Sequence, residues 1–182
     1  KIKKFVYAAS SSCYGTPKKL PTSEKDKIDL KNPYAATKFI GEEIVMRYAS
    51  MFKMPNISFR FFNVYGPRLN ISGQYSAVIG NFLSQTKNNK ALTIVGDGKQ
   101  TRDFIHVDDV CDAIKVVIQK PIKGVIDIGT GKSHKLLDIM DRFNINGFEK
   151  KIGADTERLD NKADISVLQQ FEWSPKIELE GY

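Results

Sequence analysis

The sequence contains few of the residues from which disulfide frameworks and metal sites are built. Two cysteines and two histidines occur among its 182 residues. Cys13 and Cys111 lie far apart and without metal-ligand spacing, so we expect no disulfide framework and no metal site. Free thiols are typical of a reducing compartment, which predicts a cytoplasmic protein. No apolar run approaches the roughly 20 residues of a membrane-spanning helix, so no membrane partner is expected.

Glycine-rich phosphate loops are also missing. No Gly-x-Gly-x-x-Gly run follows any predicted strand, so the turn at which a Rossmann sheet binds NAD is absent from this sequence. Gly131-Lys132-Ser133 ends like a Walker motif, but that motif needs a glycine where Ile126 stands. We therefore expect no ATP site there, and we predict instead that Ser133 caps a helix at about 134–143.

Basic residues outnumber acidic ones, which gives a net charge of +7. Such a balance suits an anionic partner, whether nucleic acid, a membrane surface or a phosphorylated substrate. The lysines are dispersed in pairs such as Lys18-Lys19 and Lys150-Lys151, so we interpret most of them as a solvated surface and expect no nucleic-acid partner. The chain is 41% apolar and 27% charged, which is enough for a hydrophobic core of ordinary size.

Short apolar runs alternate with helical patterns along the chain, which predicts the α/β class. The runs at 3–9, 57–62 and 124–128 are continuous, as expected of parallel strands that are buried on both faces. Polar groups follow the first two runs at Ser10 and Asn63, where open α/β sheets bind ligands. Further strands are predicted at 92–95 and 102–107, and helices at about 33–51, 77–87, 165–170 and from Asp108 or Asp109 to 119.

The start of the first long helix carries a candidate proton-transfer pair. Asn32 can cap the helix and Pro33 suits its first position, where a missing N–H costs nothing. Tyr34 and Lys38 are four residues apart and therefore share one face. A lysine ammonium beside a phenol stabilises the phenolate, which can act as a base. By itself the pair is weak evidence for chemistry, because a packed tyrosine beside a solvated lysine is the commoner reason for this spacing.

Five sequence blocks in fixed order give this pair its context. The blocks are 5–15 (FVYAASSSCYG), 32–38 (NPYAATK), 60–68 (RFFNVYGPR), 94–110 (IVGDGKQTRDFIHVDDV) and 127–131 (DIGTG). With them the sequence resembles the extended short-chain dehydrogenase/reductase superfamily, and within it the NAD-dependent nucleotide-sugar epimerases and dehydratases. The run of three serines before Cys13-Tyr14-Gly15 resembles most the UDP-hexose and UDP-N-acetylhexosamine 4-epimerases.

The resemblance implies that the chain begins in the middle of such an enzyme. Residues 1–68 would be the C-terminal portion of the NAD-binding Rossmann domain. Residues 69–182 would be mainly a small α/β domain that binds the nucleotide sugar, with 100–130 returning partly to the Rossmann sheet. Most of the NAD site would then lie in an N-terminal half that this sequence does not contain. Helices including 33–51 would form a homodimer.

By the same resemblance, Tyr34 would be the catalytic base that takes the proton of the sugar C4 hydroxyl. Lys38 would hold the nicotinamide ribose and support the phenolate, and Ser10 would hydrogen-bond the same hydroxyl. Phe61 and Val64 would lie at the nicotinamide end of the cofactor. Phe61 replaces a tyrosine found in some members, so one hydrogen bond to the nicotinamide amide would be lost.

The substrate residues implied by the resemblance are spread over the whole chain. The 4,6-dehydratases have Asp-Glu where this chain has two serines, which argues against dehydration. A family arginine on the phosphates is replaced by Ala154, and Arg158 is a candidate substitute. The implied contacts are Ser11 and Ser12 to the sugar, Asn63 to the sugar and diphosphate, Arg102 to the diphosphate, Val95 to the uracil and Asn161 at the entrance of the sugar pocket.

Other interpretations stay open at this point. Arg102 could instead pair with Asp103 or Asp109, and Asn63 could cap a turn. Within the enzymes, a reductase, a dehydratase or an epimerase acting at another carbon is compatible with the same blocks. A chain without the glycine-rich turn could also be an inactive fragment that binds only the sugar nucleotide.

Overall fold

The computed structural model describes residues 2–69, 78–142, 148–151 and 160–179. Strands and helices alternate along these residues, so the predicted α/β class is confirmed. The strands are β1 (Phe5–Ser10), β2 (Asn56–Phe61), β3 (Asn63–Tyr65), β4 (Leu92–Val95), β5 (Thr101–Arg102), β6 (Phe104–His106), β7 (Gly124–Ile128), β8 (His134–Lys135) and β9 (Phe148–Lys151). The helices are α1 (Pro33–Phe52), α2 (Val78–Lys87), α3 (Val107–Gln119), α4 (Leu136–Arg142) and α5 (Ser166–Gln169).

The central sheet is parallel and has the order β1-β2-β7. Its middle strand is buried throughout apart from its last residue, and successive side chains serve opposite faces. Ile57 and Phe59 pack with Val117 of α3 in one apolar core. Ser58 and Arg60 bond instead to Glu42 of α1. The sheet is therefore covered by a helix on each face, as continuous apolar strands require.

A second apolar core lies beside the central sheet. It joins the helices α2 and α4 to the strand β4, which pairs in parallel with β9. Two further strand pairs are short, β3 with β6 and β5 with β8. The pair of β3 and β6 contributes residues to both cores and so connects them. The buried members of this second core are Tyr65, Ile79, Phe82, Leu92, Ile94, Phe104, Leu136, Ile139 and Met140. The predicted division at residues 68/69 stays a prediction.

Helix α1 begins where the sequence predicts. Oδ1 of Asn32 accepts from the backbone N–H of Ala35 at 2.8 Å, and Pro33 opens the helix. The long turn after β1 and the helix together place Tyr34 beside the end of β1. No helix among the described residues is long and apolar enough to cross a membrane.

Three local predictions are wrong. The strand expected at 102–107 is interrupted at Asp103, whose carboxylate binds backbone N–H groups of another loop. Helix α3 starts at Val107, because Nδ1 of His106 accepts from the N–H of Asp108 and so acts as its cap. Ser133 caps no helix. Its hydroxyl donates to the carbonyl of Asn161, and α4 begins only after the short strand β8.

Candidate active site

A cavity of about 1010 Å³ opens at the carboxyl ends of β1 and β2. It brings together every predicted site residue except Lys38 and Val95. Val95 ends β4, but its side chain is not among the parts that the structure describes, and positions 154 and 158 also lie outside them. The residues lining the cavity are Ser10, Ser11, Ser12, Asn32, Pro33, Tyr34, Thr37, Phe61, Phe62, Asn63, Val64, Arg102 and Asn161.

The three serines form one wall of this cavity. β1 ends at Ser10, and residues 11–14 turn in a single 3-10 helix. The hydroxyl oxygen of Ser10 accepts from the N–H of Ser12 at 3.2 Å, which caps that turn. Gly15 ends it with φ of 55°, and a Cβ there would lie 2.3 Å from the carbonyl oxygen of Asp29. The hydroxyl of Ser12 is buried without a hydrogen-bond partner among the described residues.

Tyr34 and Lys38 share a helical face but point to different surroundings. The Tyr34 side chain is 48% exposed and lines the cavity. The Lys38 ammonium lies one turn further on and donates to the carbonyl of Ala8 at 3.0 Å. Gly41 permits this close packing of α1 on β1, because a Cβ there would lie 2.1 Å from the hydroxyl of Tyr7. The pair is thus fixed at the edge strand, with only Tyr34 in the cavity wall.

Two amide side chains form the opposite wall and have fixed polarity. The backbone N–H of Asp103 donates to Oδ1 of Asn161 at 2.7 Å, so Asn161 must present its oxygen there. Nδ2 of Asn63 then donates to this Oδ1 at 3.1 Å and to the carbonyl of Asp103 at 2.7 Å. Oδ1 of Asn63 and Nδ2 of Asn161 have no partner among the described residues. The cavity wall therefore offers an acceptor beside a donor.

Arg102 is a buried cation at the edge of the same cavity. Its side chain is 5% exposed, and Nη1 donates to the carbonyl of Thr101 at 3.0 Å. The carboxylates considered as its ion-pair partners serve other groups. Asp103 accepts from the N–H groups of Thr130, Gly131 and Ala163, and Asp109 accepts from those of residues 176 and 177. Burial raises the pKa of the Asp103 carboxyl, against the effect of these donors.

A buried ion network beneath the cavity escaped the sequence analysis. The Glu42 carboxylate accepts from Nε and Nη2 of Arg60 at 3.1 and 2.5 Å, and from the hydroxyl of Ser58 at 2.9 Å. Nη1 of Arg60 donates to the hydroxyl of Tyr14, which donates to Asp127 at 2.8 Å. The network therefore connects α1, β2, the serine turn and β7. Burial and the Asp127 charge raise the pKa of Tyr14 far above its ordinary value. The sequence feature that could have indicated this network is Arg60, an arginine inside the buried strand β2.

The lining of the cavity is compatible with the nicotinamide end of a dinucleotide. Hydroxyl groups of Ser10 to Ser12 and the apolar side chains of Phe61 and Val64 line the same cavity. An aromatic ring with a carboxamide group needs both kinds of contact, and the hydroxyl of Ser12 has no hydrogen-bond partner among the described residues. The diphosphate would need a glycine-rich turn, which the sequence lacks.

Comparison with known proteins shows the family to which the chain belongs. Residues 1–129 match the model of the NAD dependent epimerase/dehydratase family. A putative UDP-glucose 4-epimerase of Methanocaldococcus jannaschii is 31% identical in an alignment of 189 positions that covers 98% of this chain and 60% of that protein. A dTDP-D-glucose 4,6-dehydratase of Dictyostelium discoideum is 34% identical over 76% of this chain and 34% of its own length.

A solved structure extends the likeness to the fold. The UDP-glucuronic acid 4-epimerase of Bacillus cereus, crystallised with UDP-glucuronic acid and NAD, has a TM-score of 0.88 and 31% identity. The alignment covers 100% of this chain and 59% of that enzyme, so this chain spans about 60% of the length of such relatives. The five sequence blocks, the parallel sheet and the family match agree, and the chain belongs to the NAD dependent epimerase/dehydratase family.

Proposed function

We propose that the protein containing this chain interconverts UDP-sugars that differ in configuration at C4, by way of a transient 4-keto sugar. The observation that supports this most is a single cavity lined by Ser10 and Tyr34 on one side and by Asn63, Arg102 and Asn161 on the other. A proton-transfer group and a set of polar anchors therefore face the same volume. Relatives named as UDP-sugar 4-epimerases support the same reaction.

In this proposal, Tyr34 performs the proton transfer. As phenolate it takes the proton of the C4 hydroxyl, and it returns the proton when the keto group is reduced. The Ser10 hydroxyl bonds to the same oxygen and positions it. Lys38 has two ammonium protons left beside its bond to Ala8, which can hold the ribose of the cofactor and stabilise the phenolate. NAD, when bound, would supply the hydride acceptor for C4 and the hydride donor for the opposite face of the keto sugar.

The substrate is held at its nucleotide end and left free to turn at its sugar end. Arg102 gives the diphosphate a charge-assisted contact. Both N–H groups of the Asn63 amide are occupied, so Asn63 would accept a hydrogen bond from a sugar hydroxyl rather than donate one to phosphate. The neighbouring Nδ2 of Asn161 would donate to the sugar. Ser11 and Ser12 would line the sugar pocket, and Val95 would pack on the uracil.

Dehydration is the second candidate, since the Dictyostelium relative is named as a 4,6-dehydratase. Loss of water needs an acid and a base beside the sugar. The cavity wall carries Ser11 and Ser12 where an acid and a base would be needed, and neither serine can ionise near neutral pH. We therefore place dehydration second, together with reduction of a keto-sugar, which would consume the cofactor.

The rest of the protein is needed for this function. Within the described residues β1 hydrogen-bonds to one neighbouring strand only, so its other edge can pair with strands of an N-terminal half. We expect this chain alone to be inactive and to bind NAD weakly. We also expect a cytoplasmic homodimer. The helix α1 supports it with a stripe of apolar side chains that are 53–74% exposed, namely Ile40, Ile44, Tyr48, Met51 and Phe52.

The test is Tyr34→Phe in the full-length protein, with C4 epimers of UDP-glucose and UDP-N-acetylglucosamine measured by NMR. We expect turnover to fall at least about 100-fold, since removal of a positioned base costs that much, while UDP-sugar binding is retained. Tyr48→Phe, on the exposed face of the same helix, is the matched control and should leave turnover unchanged. Wild-type turnover in the Tyr34→Phe protein would refute the assignment.

A further inference from the structure

A second large groove lies at the opposite end of the central sheet from the candidate active site. Its volume is about 890 Å³, and it is formed where β1, β2 and β7 begin and where α1 and α3 end. Met46, Met54, Pro55, Ile118 and Ile122 contribute an apolar surface to it. We call it the basal groove. Five lysines line it, and no aspartate or glutamate does among the residues described, the lysines being Lys3, Lys4, Lys53, Lys120 and Lys123.

Ion pairs neutralise some of the lysines elsewhere on the described surface but none of these five, which share one groove. Six lysines outside the groove have a carboxylate oxygen within 4 Å: Lys19, Lys31, Lys99, Lys115, Lys132 and Lys176. None of the groove lysines has such a partner within the ranges that the structure describes. Like charges that share a groove repel each other, so the arrangement costs free energy when no anion is bound.

The ends of the two helices do not account for these charges. The C-terminus of a helix attracts cations, and α1 and α3 both end in the groove. Lys4 alone serves α3, because its ammonium donates to the carbonyls of Val117 and Lys120 at 2.7 and 2.6 Å. The end of α1 is closed by backbone groups, since the N–H groups of Lys53 and Met54 both donate to the carbonyl of Ala49. The ammonium groups of the other four groove lysines are therefore not accounted for by either helix end.

We propose that the basal groove binds a phosphate chain carrying several negative charges. Lysine ammonium groups are compact point charges on flexible stems and suit phosphate oxygens. The groove has the size of a small-molecule site, and its apolar surface could also take a nucleoside base. The bound phosphate chain is thus that of an inorganic polyphosphate or of a nucleoside triphosphate. The groove is separated from the sugar-nucleotide cavity by the length of the sheet strands, so this proposal does not depend on the proposed reaction.

The experiment titrates the full-length protein with inorganic tripolyphosphate in a calorimeter, with UDP at saturation so that the substrate cavity is filled. A second arm uses ATP. We expect saturable binding of one ligand per chain that weakens with salt. In the double variant Lys53→Gln/Lys123→Gln, affinity should fall at least about tenfold because two charge contacts are lost. The control Lys25→Gln/Lys90→Gln removes two exposed lysines far from the groove and should change affinity less than about twofold.

Each outcome decides the matter. Equal binding of both ligands supports a site for the phosphate chain alone, and tighter binding of ATP supports a nucleotide as the ligand. Equal weakening by the two double variants would show attraction by the overall positive charge and would overturn the proposal. So would a lack of saturable binding to either ligand, including the case in which only RNA or anionic vesicles bind. Since the readout is binding, an inactive or differently active enzyme leaves the result interpretable.

Discussion

Replacing Arg60 by methionine is expected to destabilise the protein strongly, although the substitution lies outside the cavity. Arg60 and Glu42 are 4% and 1% exposed, and two hydrogen bonds join them. The Arg60 guanidinium also lies 4.9 Å from the centre of the Tyr14 ring. In Arg60→Met the Glu42 carboxylate stays buried, and among the described residues the Ser58 hydroxyl is its remaining side-chain donor. An uncompensated buried charge costs about 3–5 kcal/mol.

Urea unfolding of the full-length protein measures this loss. With an m-value of about 3 kcal/mol/M, the unfolding midpoint should fall by about 1 to 1.7 M. The double variant Glu42→Met/Arg60→Met removes both charges. This double variant should recover most of the free energy of unfolding that Arg60→Met loses, because a well-packed apolar pair is often as stable as a buried ion pair.

An exposed ion pair on the same helix as Glu42 supplies the control. Arg47 pairs with Glu43 at 3.8 Å on the exposed side of α1, where the two side chains are 81% and 48% exposed. Arg47→Met should therefore cost less than about 1 kcal/mol. The reasoning is refuted if Arg60→Met costs no more than Arg47→Met. It is also refuted if the stability losses of Glu42→Met and Arg60→Met, each measured alone, simply add in the double variant Glu42→Met/Arg60→Met.

Two further predictions concern the cavity and the proposed dimer. Asn161→Asp keeps the oxygen that accepts from Asp103 and Asn63 but replaces the free Nδ2 by a charged oxygen. We expect KM for the UDP-sugar to rise about tenfold, the equivalent of about 1.4 kcal/mol; an unchanged KM would place Asn161 outside the substrate site. Ile44→Glu puts a charge into the exposed apolar stripe of α1 and should convert the dimer to a monomer in light scattering. A dimer that persists would show that another surface forms the interface.

The sequence was sufficient for the order of the longer helices and strands and for the family. Helix α1 and its cap follow from Asn32-Pro33, because caps and first-turn prolines are local effects that the neighbouring residues decide. The buried parallel strands follow from continuous apolar runs. The five blocks were informative together, and the family match confirms them. The roles of Tyr34, Lys38 and Ser10 remain predictions that the cavity supports but does not test.

Other features depend on contacts between residues that are distant in the chain. Asp103 interrupts a strand because its carboxylate binds N–H groups of Thr130, Gly131 and Ala163, so local β-propensity is overruled. Ser133 is recruited by the carbonyl of Asn161 and not by a helix end. No local pattern around these residues indicates such partners, since the bonds span 27 to 60 residues.

The sequence by itself determined the helix start at Asn32-Pro33, the strands beside it and the absence of the glycine-rich turn. Only the tertiary structure decided which way the amides of Asn63 and Asn161 point, because that polarity depends on the backbone of Asp103. It alone paired Glu42 with Arg60 across two elements and gathered lysines from three segments into one groove. Hydrophobic periodicity is a local property of a sequence, whereas the partner of a buried charge or amide is set by how the elements pack.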